Sequence, residues 1–460
     1  MAHNLRCISP IDGSLFAERE ALTPAAARQA ADRARAAQAD WAARPLRERI
    51  DLVRAGIAAV GAMNDEVVPE LAHMMGRPVR YGGEFGGFEE RGGHMADIAE
   101  QALADIAVGE DATVKRYIKR IPHGVVLVVA PWNYPYMTAI NTLAPALIAG
   151  NSVLLKHATQ TLLVGERLAR AFHSAGVPEA VFQNVFLDHD TTSGLIADRA
   201  FDFVNFTGSV GGGRAMEQAA AGTFTGLGLE LGGKDPGYVM EDADLEAAVA
   251  TLIDGAMFNS GQCCCGIERI YVHESLFEAF VDQAVAIVEG YKLGNPLDAE
   301  TDIGPMANIR FAREVRDQID EALAAGARAH ITQKSEDDGG AYLTPQILTE
   351  VTHDMRVMRD ESFGPVVGIM RVSGDEEAIR LMNDSRFGLT ASLWTADIER
   401  AQRVGDRVET GTVFMNRADY LDPGLCWTGC KDTGRGGGLS VIGYHNLTRP
   451  KSYYLKKTTT

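Results

Sequence analysis

Apolar residues along this chain fall into two regimes, and the change between them sets the expected architecture. From 24 to about 107 they recur at helical spacing among charged positions. Thr23-Pro24 supplies an N-cap hydroxyl followed by proline where a helix tolerates it. An alanine- and arginine-rich run reaches about 43, a second amphipathic run covers 46–63, and helical pattern continues to about 107, interrupted by the glycine-rich 81–87. The first quarter is therefore expected to be a helical layer that carries little chemistry. Residues 113–121 then alternate like a strand, with charge on one face.

The second regime begins at Gly124-Val125-Val126-Leu127-Val128-Val129-Ala130, a continuous apolar run rich in β-branched residues. Such a run marks a strand buried on both faces of a parallel sheet. Pro131-Trp132-Asn133-Tyr134-Pro135 ends it, and a helical segment to Ala149 closes at Gly150-Asn151. Strands are expected at 152–156, 184–187 and 202–206, with a helix over 161–175 stopped at Gly176. Strands and helices alternating at this spacing predict a doubly wound α/β domain, with ligands at the carboxyl ends of the strands. The glycine-rich 206–214 turns the last strand into a helix, whose backbone N–H groups suit a pyrophosphate. A tight turn has the same composition, and the usual G-x-G-x-x-G dinucleotide pattern is absent. A second α/β half follows, with helices at 244–257, 276–288 and 312–325, a strand at 269–273 and a polar loop at 335–340.

Composition narrows the function classes. A chain of 460 residues has room for two or three domains, and a net charge of −18 argues against nucleic acid or an anionic membrane as partner. The short basic patches at 116–120 and 456–457 read as solvated strand faces. No apolar run approaches the roughly 18 residues of a membrane helix, and the N-terminus lacks a secretory pattern. Six cysteines form no evident disulfide framework, so a cytoplasmic, reducing setting is expected. Cys426 and Cys430 read as packing residues.

Three of those cysteines are consecutive, in Asn259-Ser260-Gly261-Gln262-Cys263-Cys264-Cys265. No histidine cluster with metal-ligand spacing lies near them, and no metal is expected. The triplet reads either as a thiol placed for chemistry or as buried packing. Other motifs bear on the choice: Pro131-Trp132-Asn133, Phe206-Thr207-Gly208-Ser209, Glu230-Leu231-Gly232-Gly233-Lys234 and Glu361-Ser362-Phe363-Gly364-Pro365. Together with Gly261-Gln262-Cys263-Cys264, and in this order, they resemble the aldehyde dehydrogenase superfamily over nearly the whole chain.

The resemblance implies roles. Cys264 matches the family nucleophile, Asn133 the oxyanion donor, and Glu230 the base that directs water onto a thioester. Glu230 also argues for hydrolysis over acyl transfer to coenzyme A. On the cofactor side, Lys156 matches the adenosine-ribose contact, Trp132 and Ser209 the pyrophosphate contacts, and Glu361 and Phe363 the nicotinamide-ribose holders; Thr207, Gly208 and Leu231 complete the set. NAD or NADP is implied. NAD-preferring relatives carry glutamate where this chain has Thr159, and its loss removes repulsion against a 2′-phosphate, so NADP or dual use is favoured. Many relatives also place a lysine at the position of Thr142 and a glutamate at that of Gly438. The tail 428–434 matches the family pattern only loosely.

Tyr134, Met137, Phe258, Cys263, Cys265 and Trp427 are candidates to line a substrate entrance, or equally to be core. Arg417 reads as a surface ion pair or as a contact for an anionic tail. The implied architecture is a cofactor-binding domain (1–110 and 122–232), an α/β catalytic domain (233–432) and a small β oligomerisation arm (111–121 and 447–460). The arm would pair 113–121 with 452–456 and extend a sheet across a subunit contact, giving a homodimer or homotetramer. Two other readings remain at this stage: a cofactor-independent thiol esterase using Cys264 and Glu230, and a catalytically silent structural relative.

Overall fold

The computed structural model describes residues 4–457. Its first organising element is the strand Val125–Ala130, buried at every position. Each buried valine or leucine there contributes about 1.5–3 kcal/mol through removal of apolar surface from water. The strand lies inside a six-stranded sheet ordered Gly434–Arg435, Gly226–Glu230, Phe203–Thr207, Val125–Ala130, Ser152–His157, Phe182–Asn184. All neighbours are parallel except the Gly434–Arg435 edge. The helix Pro135–Ala149 is buried along nearly its whole length and ends on Gly150, whose φ of 97° is left-handed. The exit from Val125–Ala130 into this helix places Trp132 and Asn133 at the carboxyl edge of the sheet.

A second sheet of seven strands runs Arg328–Ala329, Gln346–Thr349, Val366–Val372, Ile267–His273, Asp235–Val239, Thr390–Trp394, Thr412–Met415. It is parallel except at the Arg328–Ala329 edge. The helix Leu245–Met257 is capped by Asp244, whose side chain accepts from Ala247 N, and it delivers the chain to the cysteine triplet.

The mixed α/β class is as expected, and several local expectations need correcting. The chain opens with a hairpin, Asn4–Ile8 against Leu15–Glu20, rather than with helix. Its pattern buries only Leu5 and Cys7 of the first strand, too short an alternation to stand out. The glycine-rich stretch is not wholly an interruption, because Gly86 and Gly87 lie inside the helix Phe85–Ala102. The expected strand at 184–187 is formed instead by Phe182–Asn184; Val185 and Leu187, which drew the expectation onward, are buried just beyond it. Ile106–Glu110, read as the end of the helical layer, is a strand. It flanks Val114–Pro122, which pairs antiparallel with Thr448–Lys456 along their full length. Tyr117 and Tyr453 stack across that pair, ring centroids 4.7 Å apart and 5° from parallel.

Candidate active site

The approach to Cys264 is a backbone hook. Asn259, Ser260 and Gly261 have φ of 55°, 56° and 69°, all left-handed, and asparagine, serine and glycine bear this better than branched residues. Gly261 is obligatory: a Cβ there would lie 2.2 Å from the Gly364 carbonyl oxygen. Side-chain bonds hold the hook in place. Ser260 Oγ donates to Gly304 O (2.9 Å), Gln262 Nε2 donates to Asn259 O (3.1 Å), and Gln262 Oε1 accepts from Ala307 N (2.8 Å).

Asn133 reaches the same hook. Its Nδ2 donates to Gln262 O at 3.2 Å, and its own carbonyl accepts from Asn259 Nδ2 at 3.3 Å. Arg77 ties the two segments together from below. It donates through Nη2 to Asn133 O (2.6 Å) and through Nε to Asn259 Oδ1 (3.3 Å), and it forms a buried ion pair with Glu84. Glu84 in turn accepts from the backbone N–H groups of Tyr136 and Met137, at the start of the helix that follows Asn133. Neither Arg77 nor Glu84 stood out in the sequence.

Glu230 ends its strand facing the triplet. Thr207 Oγ1 donates to its Oε2 at 3.2 Å, and Gly208 N donates to its carbonyl at 3.0 Å. Burial first, and then the nearby Cys264 charge, push its pKa up to about 7, against the smaller opposing effects of Thr207 and Arg91. The Cys264 thiol moves the other way. Hydrogen bonding within the triplet, from Cys263 first and then Cys265, holds it well below the ordinary thiol range, and Arg91 adds to this against burial. A base poised near neutrality thus faces a thiol biased toward thiolate. Gly438 makes room for this arrangement, since a Cβ there would lie 2.9 Å from Glu230 Oε1. A larger residue at 438 would contest the place that Glu230 occupies. Thr142 is buried within Pro135–Ala149.

The expected cofactor residues fall into two groups. Lys156 and Thr159 line a cleft of about 260 Å³ at the carboxyl end of Ser152–His157, together with Arg6, Leu187, Asp188 and His189. Burial lowers the Lys156 pKa, and the carboxylate of Asp188 counters that. Ser209 caps the helix Val210–Ala220 by accepting from Gly212 N (3.2 Å), and Leu231 packs where a Cβ on Gly213 would stand 2.6 Å from it. Glu361 accepts from Gly233 N at 3.0 Å; burial, then the Glu268 charge, raises its pKa to about 8. Phe363 adopts a φ of 50° and meets Trp132 edge-on at 5.5 Å, while Trp132 stacks on Phe311 at 5.2 Å. A buried network locks this side. Lys234 Nζ donates to Glu268 Oε2 (2.6 Å) and to Ser362 Oγ (3.0 Å), and Glu268 also accepts from Ser362 N (2.8 Å) and Phe363 N (2.9 Å).

Of the residues expected to line an entrance, Tyr134 lies under Arg77, whose guanidinium is 4.8 Å from its ring centroid, and Phe258 packs on Tyr81 at 4.6 Å. Met137 is half-buried, and Trp427 is buried in a bridge with Gly438. Cys263 and Cys265 are buried and both donate to Asp419 Oδ1, at 3.2 and 2.9 Å. Among the described residues no histidine joins them, as expected, and these three side chains bring their sulfur and carboxylate atoms within 4.8 Å of one another. Burial raises the Asp419 pKa to about 6. Arg417 makes no surface ion pair among the described residues; its guanidinium sits 3.7 Å from the Tyr420 ring centroid.

Comparison with known proteins places the whole chain beside a characterised family. Residues 2–453 match the model of the aldehyde dehydrogenase family. A succinate-semialdehyde dehydrogenase [NADP(+)] of Mycolicibacterium paratuberculosis is 36% identical over 364 residues, covering 79% of this chain and 77% of that protein. The Escherichia coli succinate semialdehyde dehydrogenase [NAD(P)+] Sad is 32% identical over 411 residues, 89% of this chain and 88% of its own. Among solved structures, an NADP-dependent glyceraldehyde-3-phosphate dehydrogenase of Bacillus halodurans, complexed with NADP, superposes with a TM-score of 0.93 at 32% identity, covering 99% and 96% of the two chains.

Proposed function

The chain belongs to the aldehyde dehydrogenase family and oxidises an aldehyde with NAD or NADP, and we propose that Cys264, Asn133 and Glu230 carry the reaction. The observation that supports these roles is the convergence of three distant segments. Asn133 bonds the backbone two residues before Cys264, and Glu230 is near enough for the Cys264 charge to raise its pKa.

Cys264 Sγ adds to the aldehyde carbon, and the carbonyl oxygen becomes an oxyanion within reach of Asn133 Nδ2. One such donor contributes about 3–4 kcal/mol to the transition state. NAD or NADP, when bound, supplies the acceptor for the hydride lost from that carbon, leaving a thioester on Cys264. Glu230, ionised above about pH 7, takes a proton from water as the water oxygen attacks the thioester carbon. The C–S bond breaks, the carboxylic acid leaves, and Cys264 returns as thiolate. The cleft around Lys156 and Thr159 suits the adenosine ribose. With Lys156 and Arg6 there and no carboxylate at 159, it accommodates a 2′-phosphate, which favours NADP or dual use. Glu361, Phe363, Trp132 and Ser209 hold the rest of the cofactor, with Thr207, Gly208 and Leu231 shaping its bed.

The six-stranded sheet would form the core of the cofactor-binding domain and the seven-stranded sheet that of the catalytic domain. The three-stranded sheet leaves Ile106, Val108, Tyr454 and Leu455 exposed, which supports pairing of subunits into a homodimer or homotetramer. No described helix is long and apolar enough to cross a membrane, and all six cysteines are free, in keeping with a reducing, cytoplasmic setting.

The test is formation of reduced nicotinamide from a panel of aldehydes, with NAD⁺ and NADP⁺ separately, by wild type and Cys264→Ala. Turnover that vanishes in the variant supports the assignment; equal turnover in both removes Cys264 as nucleophile.

A further inference from the structure

Arg91 is a buried charged residue beside this site that the mechanism above leaves without work. It lies in the middle of the helix Phe85–Ala102 and is only 9% exposed. Its Nε is buried with no hydrogen-bond partner, and no ion pair or hydrogen bond of its guanidinium occurs among the described residues. Other buried arginines here are fully engaged: Arg77 holds Glu84, Asn133 and Asn259, and Arg269 donates to three backbone carbonyls. A guanidinium stays charged at any physiological pH, and burying that charge unpaired is strongly unfavourable.

The packing fixes where Arg91 stands. One turn before it, a Cβ on Gly87 would meet Met137 Sδ at 2.3 Å; one residue after it, a Cβ on Gly92 would meet Ile140 at 2.9 Å. The helices Phe85–Ala102 and Pro135–Ala149 therefore run alongside each other in the same direction, and Arg91 follows Gly87 by one turn as Asn141 follows Met137. Asn141 is itself buried, with an unpartnered Oδ1. One turn after Arg91, Met95 approaches Gly443, in the helix Ser440–Asn446, and Gly443 packs on the Gly438 that backs Glu230. Two buried polar side chains with unpartnered atoms thus lie on this pair of packed helices, one turn beyond the Gly87–Met137 approach. The Arg91 charge acts on Glu84, Glu230 and Cys264, so its guanidinium lies among the charged groups of the site.

We infer that Arg91 is the receptor for an anionic group on the aldehyde, so that this enzyme's substrates are short aldehydes ending in a carboxylate. The planar fork of the guanidinium takes both oxygens of such a group, and Asn141 turns its amide to donate beside it. The inference rests on Cys264 being the nucleophile of an aldehyde oxidation.

The experiment compares succinate semialdehyde with butanal, which share a four-carbon chain, in wild type, Arg91→Gln and Arg91→Lys. Wild type is expected to favour the anionic aldehyde in kcat/KM by about 10- to 100-fold, the range of a charged hydrogen bond. In Arg91→Gln that ratio collapses toward one through KM for the anionic aldehyde, and Arg91→Lys restores part of it. A wild-type ratio near one, or an equal loss on both aldehydes in Arg91→Gln, overturns the inference, the latter marking an effect on Cys264 alone. If Arg91→Gln does not fold, an unchanged ratio in Arg91→Lys overturns it equally. A second readout needs no turnover: alkylation of Cys264 by iodoacetate relative to iodoacetamide. That ratio should exceed that of a free thiol in wild type and fall in both variants, whereas a ratio indifferent to Arg91 refutes the receptor. Failure of wild type to oxidise either aldehyde would sink the dehydrogenase assignment, and the alkylation ratio would still decide the role of Arg91.

Discussion

Replacing Glu230 by glutamine separates the cost of the base from its use. In the fold its pKa rises from 4.5 to about 7. One unit corresponds to about 1.4 kcal/mol, so the ionised carboxylate costs up to about 3 kcal/mol of stability, and about 2 once its partial solvent access is allowed for. The sign follows from the direction of the shift. Below about pH 4.5 the carboxyl is neutral in both states and costs nothing; the cost grows as pH rises from 4.5 to about 7 and is constant above that. Glutamine keeps an acceptor for Thr207 Oγ1 and carries no charge. Glu230→Gln should therefore be nearly as stable as wild type near pH 4 and about 2 kcal/mol more stable near pH 8, read from denaturant midpoints at both values. In rapid mixing with aldehyde and cofactor, the variant should produce one burst of reduced nicotinamide per site and then nearly stop, because the thioester is not hydrolysed. A stability difference that does not change with pH would refute the burial argument. Sustained turnover after the burst would refute the base assignment.

Three further outcomes are expected. Asn133→Ala should lower kcat by about 10²–10³, in line with loss of one oxyanion donor, with little change in the thermal midpoint. Thr159→Glu puts a carboxylate into the cleft beside Lys156 and should raise KM for NADP at least about tenfold while sparing NAD; equal effects on both would show that the cleft does not hold the ribose. Gly438→Ala pushes a methyl against Glu230 Oε1, so it should slow the phase after the burst about tenfold or more and leave the burst rate intact, as stopped-flow traces will show.

The reactive groups were legible because each sits in a compact motif whose chemistry is local. Cys264 follows a glycine–glutamine turn, Asn133 leaves a wholly apolar strand, and Glu230 ends one. What stayed hidden is held by contacts between distant positions. Arg77, Arg91 and Glu268 look like ordinary charges on helix and strand faces, and only the assembled fold reveals that each is buried. The glycines at 87 and 92 were a usable signal, since glycine inside a helix costs propensity and marks a close approach, here to Met137 and Ile140. Asp419 carries no sequence cue; its φ of 50° and its two thiol donors arise from where its loop ends. The strands Asn4–Ile8 and Ile106–Glu110 were missed because five residues with a largely exposed face hold too little alternation to outweigh helical neighbours.

The seat of Gly261 against Gly364 bears on how this protein can be recombined. The two are about a hundred residues apart, yet the carbonyl of residue 364 stands where a Cβ at 261 would go, and Gly364 itself leaves room for Val315. A hybrid that took the cysteine hook from one parent and the Glu361-to-Pro365 loop from another would inherit both halves of a joint cut to different measure. Crossovers between 261 and 364 should therefore be rare among active recombinants, whereas exchanges that carry both segments together leave the joint whole.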